Sequence, residues 1–212
     1  MGGDSVREAW SERSGEYSPD YYAYYGPDEV SEAVLDALDE SVGRGASVLE
    51  LGCSSGRHLA HLHENGYESV AGVDINADAF DVMADAYPDL AEDGEFHVGA
   101  IEDVVAEFED GAFDAVYSVE TLQHIHRDDE WVFEEIARVA GDALVTVEIE
   151  ETESAAPTDE SGDTTDSGVT YVDDGIPLYC RNWRDVFTVY GFEEAASRAL
   201  DRDVLRVFRA TN

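Results

Sequence analysis

Hydrophobic and polar positions follow two different patterns along residues 28–210 of this chain. Short runs of apolar residues are typical of strands that are buried on both faces of a sheet. Five such runs precede residue 150, and two more apolar segments follow residue 190, separated by a short turn. The predicted strands are Val48–Leu51, Val70–Asp74, Phe96–Val98, Phe113–Ser118, Ala143–Ile149, Phe192–Ala196 and Val204–Phe208.

The segments between these strands carry apolar residues three or four positions apart, a spacing that predicts amphipathic helices. The alternation of strands and helices predicts an α/β fold with a doubly wound, mostly parallel sheet. The short final turn predicts an antiparallel hairpin at one edge of that sheet. The predicted helices are Asp28–Ser41, Arg57–Asn65, Ala77–Ala86, Ile101–Phe108, Glu130–Val139 and Trp183–Tyr190.

Two segments lie outside this alternation. Residues 1–45 begin polar and rich in tyrosine, and we expect them to form an N-terminal aromatic helical cap on the main domain, residues 46–212. Residues from about 150 to 168 contain acids, serine, threonine and glycine with almost no large apolar side chain. That composition is typical of a flexible, solvated insertion within the main domain.

The charge of the chain is extreme, with 50 acids, 12 bases that are all arginine, and a net charge of −38 at pH 7. Such a charge repels itself strongly unless salt screens it, so we expect an acidic protein from a halophilic archaeon. Global disorder is the alternative, and it is disfavoured because 43% of the residues are hydrophobic and fall in clear runs.

The charge also weighs against a nucleic-acid partner, because phosphate contacts rely on lysine and arginine. No apolar run approaches the roughly 20 residues of a membrane span. Residues 1–13 contain no apolar signal core. We therefore expect a cytoplasmic protein without a membrane partner, and the sequence leaves its oligomeric state open.

A glycine-containing turn follows the first predicted strand, and the second strand ends in Asp74. A strand, a small-residue turn, a helix and a strand ending in an acid is how an α/β sheet binds a nucleoside. A dinucleotide fingerprint would need glycine at positions 52, 54 and 57, but Ser54 and Arg57 occupy two of these. The pattern therefore favours a nucleoside ligand without a pyrophosphate, with Asp74 accepting from both ribose hydroxyls. The alternative role for Asp74 is a helix N-cap.

Four motifs in order resemble those of the class I S-adenosylmethionine-dependent methyltransferases. The stretch Glu50-Leu51-Gly52-Cys53-Ser54-Ser55-Gly56-Arg57 resembles the first motif, and Asp74 falls where that family keeps its ribose-binding acid. The stretch Gly99-Ala100-Ile101-Glu102-Asp103-Val104 resembles the third motif, and Phe113-Asp114-Ala115-Val116-Tyr117-Ser118 resembles the fourth. The resemblance covers about residues 46–150, and residues 183–209 fit the closing hairpin of the family. Ser54 and Ala100 depart from the common Gly and Asp.

The resemblance implies a Rossmann-like seven-stranded sheet and S-adenosyl-L-methionine as cofactor. It implies that Asp103 accepts from the adenine amino group, that Ile75 and Ile101 flank the adenine ring, and that backbone near Gly52 and Ser118 holds the methionine end. Structural roles in the core or at helix starts are the alternatives. The full set of predicted cofactor-binding residues is Glu50, Gly52, Cys53, Gly56, Asp74, Ile75, Ile101, Glu102, Asp103, Val104 and Ser118.

The resemblance also implies an enzyme that transfers a methyl group to an acceptor, most simply a small molecule. Glu120 and His124 follow the fourth strand and are candidate catalytic residues, because a hydroxyl or amine acceptor benefits from a general base. A solvated acid and a structural histidine are the alternatives. Tyr21, Tyr22, Tyr179 and Arg181 are candidate substrate-binding residues, with packing or surface roles as alternatives.

Three further interpretations remain open from the sequence. The acceptor could be RNA or protein, the chain could bind the donor without transferring its methyl group, or it could be a nicotinamide-dependent oxidoreductase. His58, His61 and His63 do not predict a metal site, because no cysteine or acid completes a plausible set of ligands.

Overall fold

The computed structural model describes residues 2–150, 168–171 and 175–211. The predicted acidic insertion, apart from its two end residues, lies outside these ranges. The helices of the described chain are α1 (Gly3–Ser11), α2 (Pro19–Tyr25), α3 (Glu29–Ser41), α4 (Arg57–Glu64), α5 (Asp78–Ala86), α6 (Pro88–Asp93), α7 (Ile101–Val104), α8 (Val132–Val139) and α9 (Trp183–Thr188). The strands are β1 (Ser47–Leu51), β2 (Ser69–Asp74), β3 (Glu95–Val98), β4 (Phe113–Val119), β5 (Ala140–Glu148), β6 (Val169–Tyr171), β7 (Pro177–Tyr179), β8 (Phe192–Ala199) and β9 (Val204–Ala210).

Seven strands form the main sheet in the order β3-β2-β1-β4-β5-β9-β8. The first five pair in parallel, whereas β9 is antiparallel to both β5 and β8. The predicted α/β fold, a mostly parallel Rossmann-like sheet with an antiparallel C-terminal hairpin, is confirmed. The strands β6 and β7 pair in a separate two-stranded sheet, which the sequence did not predict.

Alternate residues of the strands face opposite sides of the sheet, as the geometry of a strand requires. Val48 packs with residues of α3 and α4, whereas Leu49 and Leu51 pack with residues of α8 and α9. All three side chains are buried. Helices therefore cover both faces of the sheet, which explains why the central strands are continuous apolar runs.

The observed helices and strands differ from the predicted ones mainly at their ends, where polar residues begin or end the element. Helix α3 starts at Glu29 because the Asp28 carboxylate accepts from the backbone N–H groups of Val30 and Ser31 and so caps the helix. Strand β8 continues to Ala199 as an edge strand with mostly exposed side chains, so its apolar pattern ends before its pairing does. The helix predicted over 101–108 ends at Val104 and gives way to a 3-10 turn.

Candidate active site

A cavity opens at the edge of the sheet where the carboxyl ends of β1, β2 and β4 meet the turn after β3. Ligands of open α/β sheets bind at this edge. Helices α1 and α2 form the opposite wall, through side chains that include Trp10 and Tyr22. The cavity holds about 1290 Å³ of empty space, counted out to open solvent.

The turn after β1 packs too closely against its neighbours for larger residues to fit. Gly52 has a φ of +72°, and a Cβ atom at this position would overlap the Thr121 side chain. Gly56 has a φ of +78° and packs against side chains of α5 and α6. The backbone N–H groups of Gly52 and Cys53 donate to the Val73 carbonyl at 2.8 and 3.0 Å. The turn is therefore fixed beside the ends of both β2 and β4.

Asp74, the last residue of β2, lies in the wall of the cavity. Its Oδ2 accepts from the backbone N–H of Ser54 and its Oδ1 accepts from that of Asn76, both at 2.8 Å. Burial raises the pKa of the Asp74 carboxyl, and these backbone donors oppose the rise. A carboxylate has about four acceptor sites, so Asp74 retains capacity for hydroxyl groups of a ligand.

The turn after β3 carries two acids that were predicted to bind the cofactor, Glu102 and Asp103, and only Glu102 lines the cavity. Ile75, Ile101 and Glu102 line the cavity, whereas Asp103 is exposed and Val104 lies just outside the lining. Arg7 Nη1 donates to Glu102 Oε1 at 3.2 Å, which connects α1 to this turn. The two isoleucines are placed where they can contact a flat ring, and the adenine role of Asp103 stays a prediction.

Two of the predicted cofactor-binding side chains form hydrogen bonds inside the protein instead of lining the cavity. The Glu50 carboxylate accepts from the Tyr117 hydroxyl at 3.0 Å, and burial raises the pKa of Glu50 to about 8. Ser118 Oγ donates to Glu148 Oε1 at 2.8 Å. Any contact of Ser118 with a ligand is therefore left to its backbone.

A loop of residues 119–125 follows β4 and supplies much of the remaining cavity wall. The buried Glu148 carboxylate at the end of β5 accepts from the backbone N–H groups of Thr121 at 3.1 Å and Leu122 at 3.0 Å. The positively charged Arg181 binds the same loop, and its Nη2 donates to the Ile125 carbonyl at 2.8 Å. The sequence analysis assigned no role to Glu148, because its partners lie more than twenty positions away.

The structure places Arg181 and Tyr179 away from the position predicted for the acceptor. The Arg181 side chain is 8% exposed, its Nε donates to Glu130 Oε1 at 3.0 Å, and its guanidinium lies 5.1 Å from the centre of the Phe133 ring. Tyr179 is buried against His126, with ring centres 5.3 Å apart. Neither side chain is part of the cavity lining, and Arg181 supports the loop from behind, so the substrate-binding role of both residues stays a prediction.

Glu120 lies in the cavity wall with a strained backbone, since its φ of +50° is rare outside glycine. Arg202, from the turn between β8 and β9, donates through Nη2 to Glu120 Oε1 at 3.0 Å. Asp203 is buried nearby, and burial together with the charge of Glu120 raises the pKa of the Asp203 carboxyl. Strain of this kind is concentrated at functional sites, which agrees with the prediction for Glu120 without testing it.

His124 also lines the cavity, but it is a weak base in this setting. Its ring centre lies 4.4 Å from that of Trp10, and burial lowers the pKa of His124 to about 3. The imidazole is therefore neutral at neutral pH, and a proton transferred to it would be held poorly. Packing against α1 accounts for its position.

Of the tyrosines at positions 17, 21, 22, 24 and 25, Tyr17 and Tyr22 line the cavity and the other three do not. Tyr22 is in the lining, and the Arg57 guanidinium lies 4.9 Å from the centre of its ring. Burial and the nearby Glu120 raise the pKa of Tyr22, so its hydroxyl remains protonated. Tyr21 packs on Tyr25 instead, with ring centres 4.9 Å apart, and lies outside the lining.

Four arginines line the cavity that the sequence analysis did not select for this site: Arg7, Arg13, Arg57 and Arg202. They come from α1, from the segment after it, from the start of α4 and from the last turn. The scarcity of bases was visible in the sequence, but only folding brings these four together.

Neither a metal centre nor a membrane span is found in the part of the chain that the structure describes. Within that part, no group of three or more histidine, cysteine, aspartate and glutamate residues is placed to hold a metal ion. No helix among the same residues is long and apolar enough to cross a membrane.

Residues 48–142 match the family model of a methyltransferase domain. The bifunctional O-antigen chain terminator methyltransferase/kinase WbdD of Escherichia coli is 36% identical over 93 residues, which are 42% of this chain and 13% of that protein. The O-methyltransferase cnsE of Penicillium expansum is 28% identical over 129 residues, covering 57% of this chain and 46% of that protein. The chain therefore matches less than half the length of these two curated relatives.

A solved structure with a similar fold is the 1,6-didemethyltoxoflavin-N1-methyltransferase of Burkholderia thailandensis, bound to its substrate and S-adenosylhomocysteine. The two chains are 15% identical with a TM-score of 0.69, and the match covers 99% of this chain and 87% of the other. Residues 48–142 therefore match a methyltransferase domain, and the chain has the fold of this solved methyltransferase.

Proposed function

We propose that this protein transfers a methyl group from S-adenosylmethionine to a small-molecule acceptor. The observation that carries the proposal is the Asp74 carboxylate, held beside the Gly52 turn at the cavity edge of a matched methyltransferase domain. The O-methyltransferase and the N1-methyltransferase among the similar proteins support a small-molecule acceptor.

The residues at the β1–β3 side of the cavity fit the donor. Asp74 retains acceptor sites for the two ribose hydroxyls, and Ile75 and Ile101 offer apolar faces for a flat ring. Gly52, with a φ of +72° and Thr121 packed where a Cβ atom would be, sets the path of the turn beside Asp74. We call this side, formed by Gly52, Asp74, Ile75, Ile101 and Glu102, the donor half.

The rest of the cavity is suited to the acceptor. We define the acceptor half by five lining residues from α2, the start of α4, the loop after β4 and the turn between β8 and β9: Tyr22, Arg57, Glu120, His124 and Arg202. S-adenosylmethionine supplies a methyl group on a sulfonium, which is already activated, so much of the rate depends on holding the nucleophile in line. Of the two predicted bases, Glu120 is the better placed to receive a proton, because burial leaves His124 only weakly basic.

Residues 2–45 act as a cap in this proposal. Helices α1 and α2 form one wall of the cavity, and Arg7 fastens α1 to the domain through bonds to Glu102 and Asp129, both at 3.2 Å. The donor is then enclosed between the strand ends and these helices, which would shield the reacting groups from water.

Calorimetric titration in molar KCl tests the proposal directly. We expect micromolar binding of S-adenosylmethionine and S-adenosylhomocysteine and no comparable binding of NAD. Appearance of S-adenosylhomocysteine when metabolite mixtures are added with the donor would then establish transfer. Binding of NAD with no binding of the two adenosyl ligands would contradict the proposal and indicate redox chemistry.

We further propose that the chain works at high salt in the cytoplasm of a halophile. The support is its net charge of −38, which costs folding free energy unless counterions screen it. Thermal unfolding at increasing KCl should show a melting temperature that rises steeply from low to molar salt. A melting temperature that does not change with salt would contradict this part of the proposal.

A further inference from the structure

The cavity lining holds about as many arginines as acids, unlike the rest of the chain. The sequence has 50 acids and 12 bases, so acids outnumber bases about fourfold. Among the described residues that line the cavity, four are arginines and three are acids: Asp74, Glu102 and Glu120. One third of all the bases in the chain therefore lie around a single cavity.

The donor alone does not account for this concentration of arginine. S-adenosylmethionine carries a sulfonium, an ammonium and one carboxylate, so it is a net cation that needs at most one guanidinium. Two of the three acids, Asp74 and Glu102, belong to the donor half and suit a cation. Arg7 is already bound to Asp4, Glu102 and Asp129. A further ligand of negative charge is the simplest reason for placing the guanidinium groups of Arg57 and Arg202 at this cavity.

Arg57 and Arg202 are the arginines that face the acceptor half. Arg57 Nη1 donates to Asp28 Oδ2 at 2.7 Å, and its side chain is only 15% exposed. Arg202 donates through Nη2 to Glu120. A guanidinium has five N–H donors, and each of these two makes one hydrogen bond to the described residues. Most donors of both groups are therefore available to a ligand.

We propose that the methyl acceptor carries an anionic oxygen group, a carboxylate or a phosphate, which Arg57 and Arg202 bind in the acceptor half. Charge-assisted hydrogen bonds from a guanidinium to such oxygens are short and directional, so they add affinity and also orient the ligand. The protonated Tyr22 hydroxyl lines the same half and is a further donor to the group. This inference rests on the proposed methyltransferase function and specifies its substrate class.

Binding of charged and neutral probes to the complex with S-adenosylhomocysteine tests the inference. Suitable probes are 4-hydroxybenzoate, phenyl phosphate and the neutral 4-hydroxybenzamide, titrated calorimetrically into the saturated complex at one fixed molar KCl concentration. We expect at least one anion to bind about tenfold or more tightly than the amide. Comparison of the two anions distinguishes a carboxylate site from a phosphate site.

The double variant Arg57→Gln/Arg202→Gln should reduce this preference to about twofold or less. Its matched control is Arg44→Gln/Arg184→Gln, which removes two charges outside the cavity and should keep the preference. The single variant Arg202→Gln, in an exposed turn, gives a second measurement if the double variant does not fold. Its preference should fall by about threefold or more.

The outcomes separate this inference from the proposed function. Equal binding of charged and neutral probes, no binding of either anion, or an equal loss in the control variant overturns the inference while S-adenosylhomocysteine still binds. Failure of S-adenosylhomocysteine to bind the folded protein contradicts the proposed function and removes the basis for the acceptor class as well.

Discussion

The donor half and the acceptor half of the cavity are built in different ways. The donor half consists of strand ends and tight turns, in which the Gly52 N–H donates to the Val73 carbonyl of β2 and the Asp74 carboxylate accepts from the N–H of Ser54 in the turn after β1. The acceptor half includes the loop of residues 119–125, which is held by side chains from distant parts of the chain, chiefly Glu148 and Arg181. The first arrangement leaves little freedom for substitution, whereas the second can change with its loops while the sheet stays the same.

The substitution Gly52→Ala should have the largest effect and should act on the donor half. The alanine would have to adopt a φ of +72°, and its methyl group would overlap Thr121. We therefore expect the affinity for the donor to fall about a hundredfold or more. Calorimetry with S-adenosylhomocysteine measures the loss. Gly45→Ala is the control, because a Cβ atom there meets no heavy atom within 4 Å. Unchanged affinity in Gly52→Ala would show that the turn is not the donor site.

The substitution Glu148→Ala should act on the acceptor half. It leaves the buried N–H groups of Thr121 and Leu122 without their carboxylate, so we expect unfolding free energy to fall by about 2–3 kcal/mol. Urea unfolding in molar KCl measures the change, and hydrogen exchange at these two amides should accelerate.

The exposed Glu134→Ala is the control for that change and should alter stability by less than about 0.5 kcal/mol. Slow exchange that persists at Thr121 and Leu122 in Glu148→Ala would mean that other contacts hold the loop.

The fold was predictable because each central strand carries its own signal. The apolar run at Val48–Leu51 reports burial on both faces, and the apolar spacing of α3 reports one buried face. Elements whose side chains stay in solvent gave weaker signals, as β8 shows beyond Ala196. The strand pair β6 and β7 is short and follows the acidic segment, so no run of apolar residues marked it.

The positions of Gly52 and Asp74 in the cavity wall were predictable for the same reason, since both lie at fixed offsets from strands that the pattern locates. The acceptor half was not predictable, because it depends on contacts between residues far apart in sequence. Arg202 meets Glu120 across 82 positions, and Arg181 meets Ile125 across 56. Arg181 illustrates the difficulty, because the sequence alone does not distinguish a buried arginine that supports a loop from one that binds a ligand.

The pH dependence of stability depends on two buried carboxyls, Glu50 and Glu148, and should be a smaller effect than those of the two substitutions above. The pKa of Glu50 is raised to about 8 and that of Glu148 to about 7, both by burial. The folded state therefore holds these protons after the unfolded state has lost them, and stability falls as pH rises towards 8. His124, with its pKa lowered to about 3, acts in the opposite direction only below about pH 6.5.

We therefore expect the unfolding free energy to fall by about 2 kcal/mol between about pH 6.5 and pH 8.5 in molar KCl. The variants Glu50→Gln and Glu148→Gln should each flatten part of this slope, Glu50→Gln more than Glu148→Gln. A stability that is constant or rises over this interval would mean that the two carboxyls are ionised in the folded protein at neutral pH.

The central claim is that the Asp74 carboxylate binds the ribose of the donor. A double-mutant cycle tests it most directly: calorimetry of S-adenosylhomocysteine and its 2′-deoxyribose analogue, each with the wild type and with Asp74→Ala. The exposed Asp85→Ala is the control. Loss of the hydroxyl should weaken binding about tenfold or more in the wild type and in the control, but less than about twofold in Asp74→Ala. An equal loss in all three proteins would show that Asp74 does not contact the ribose and would contradict the account.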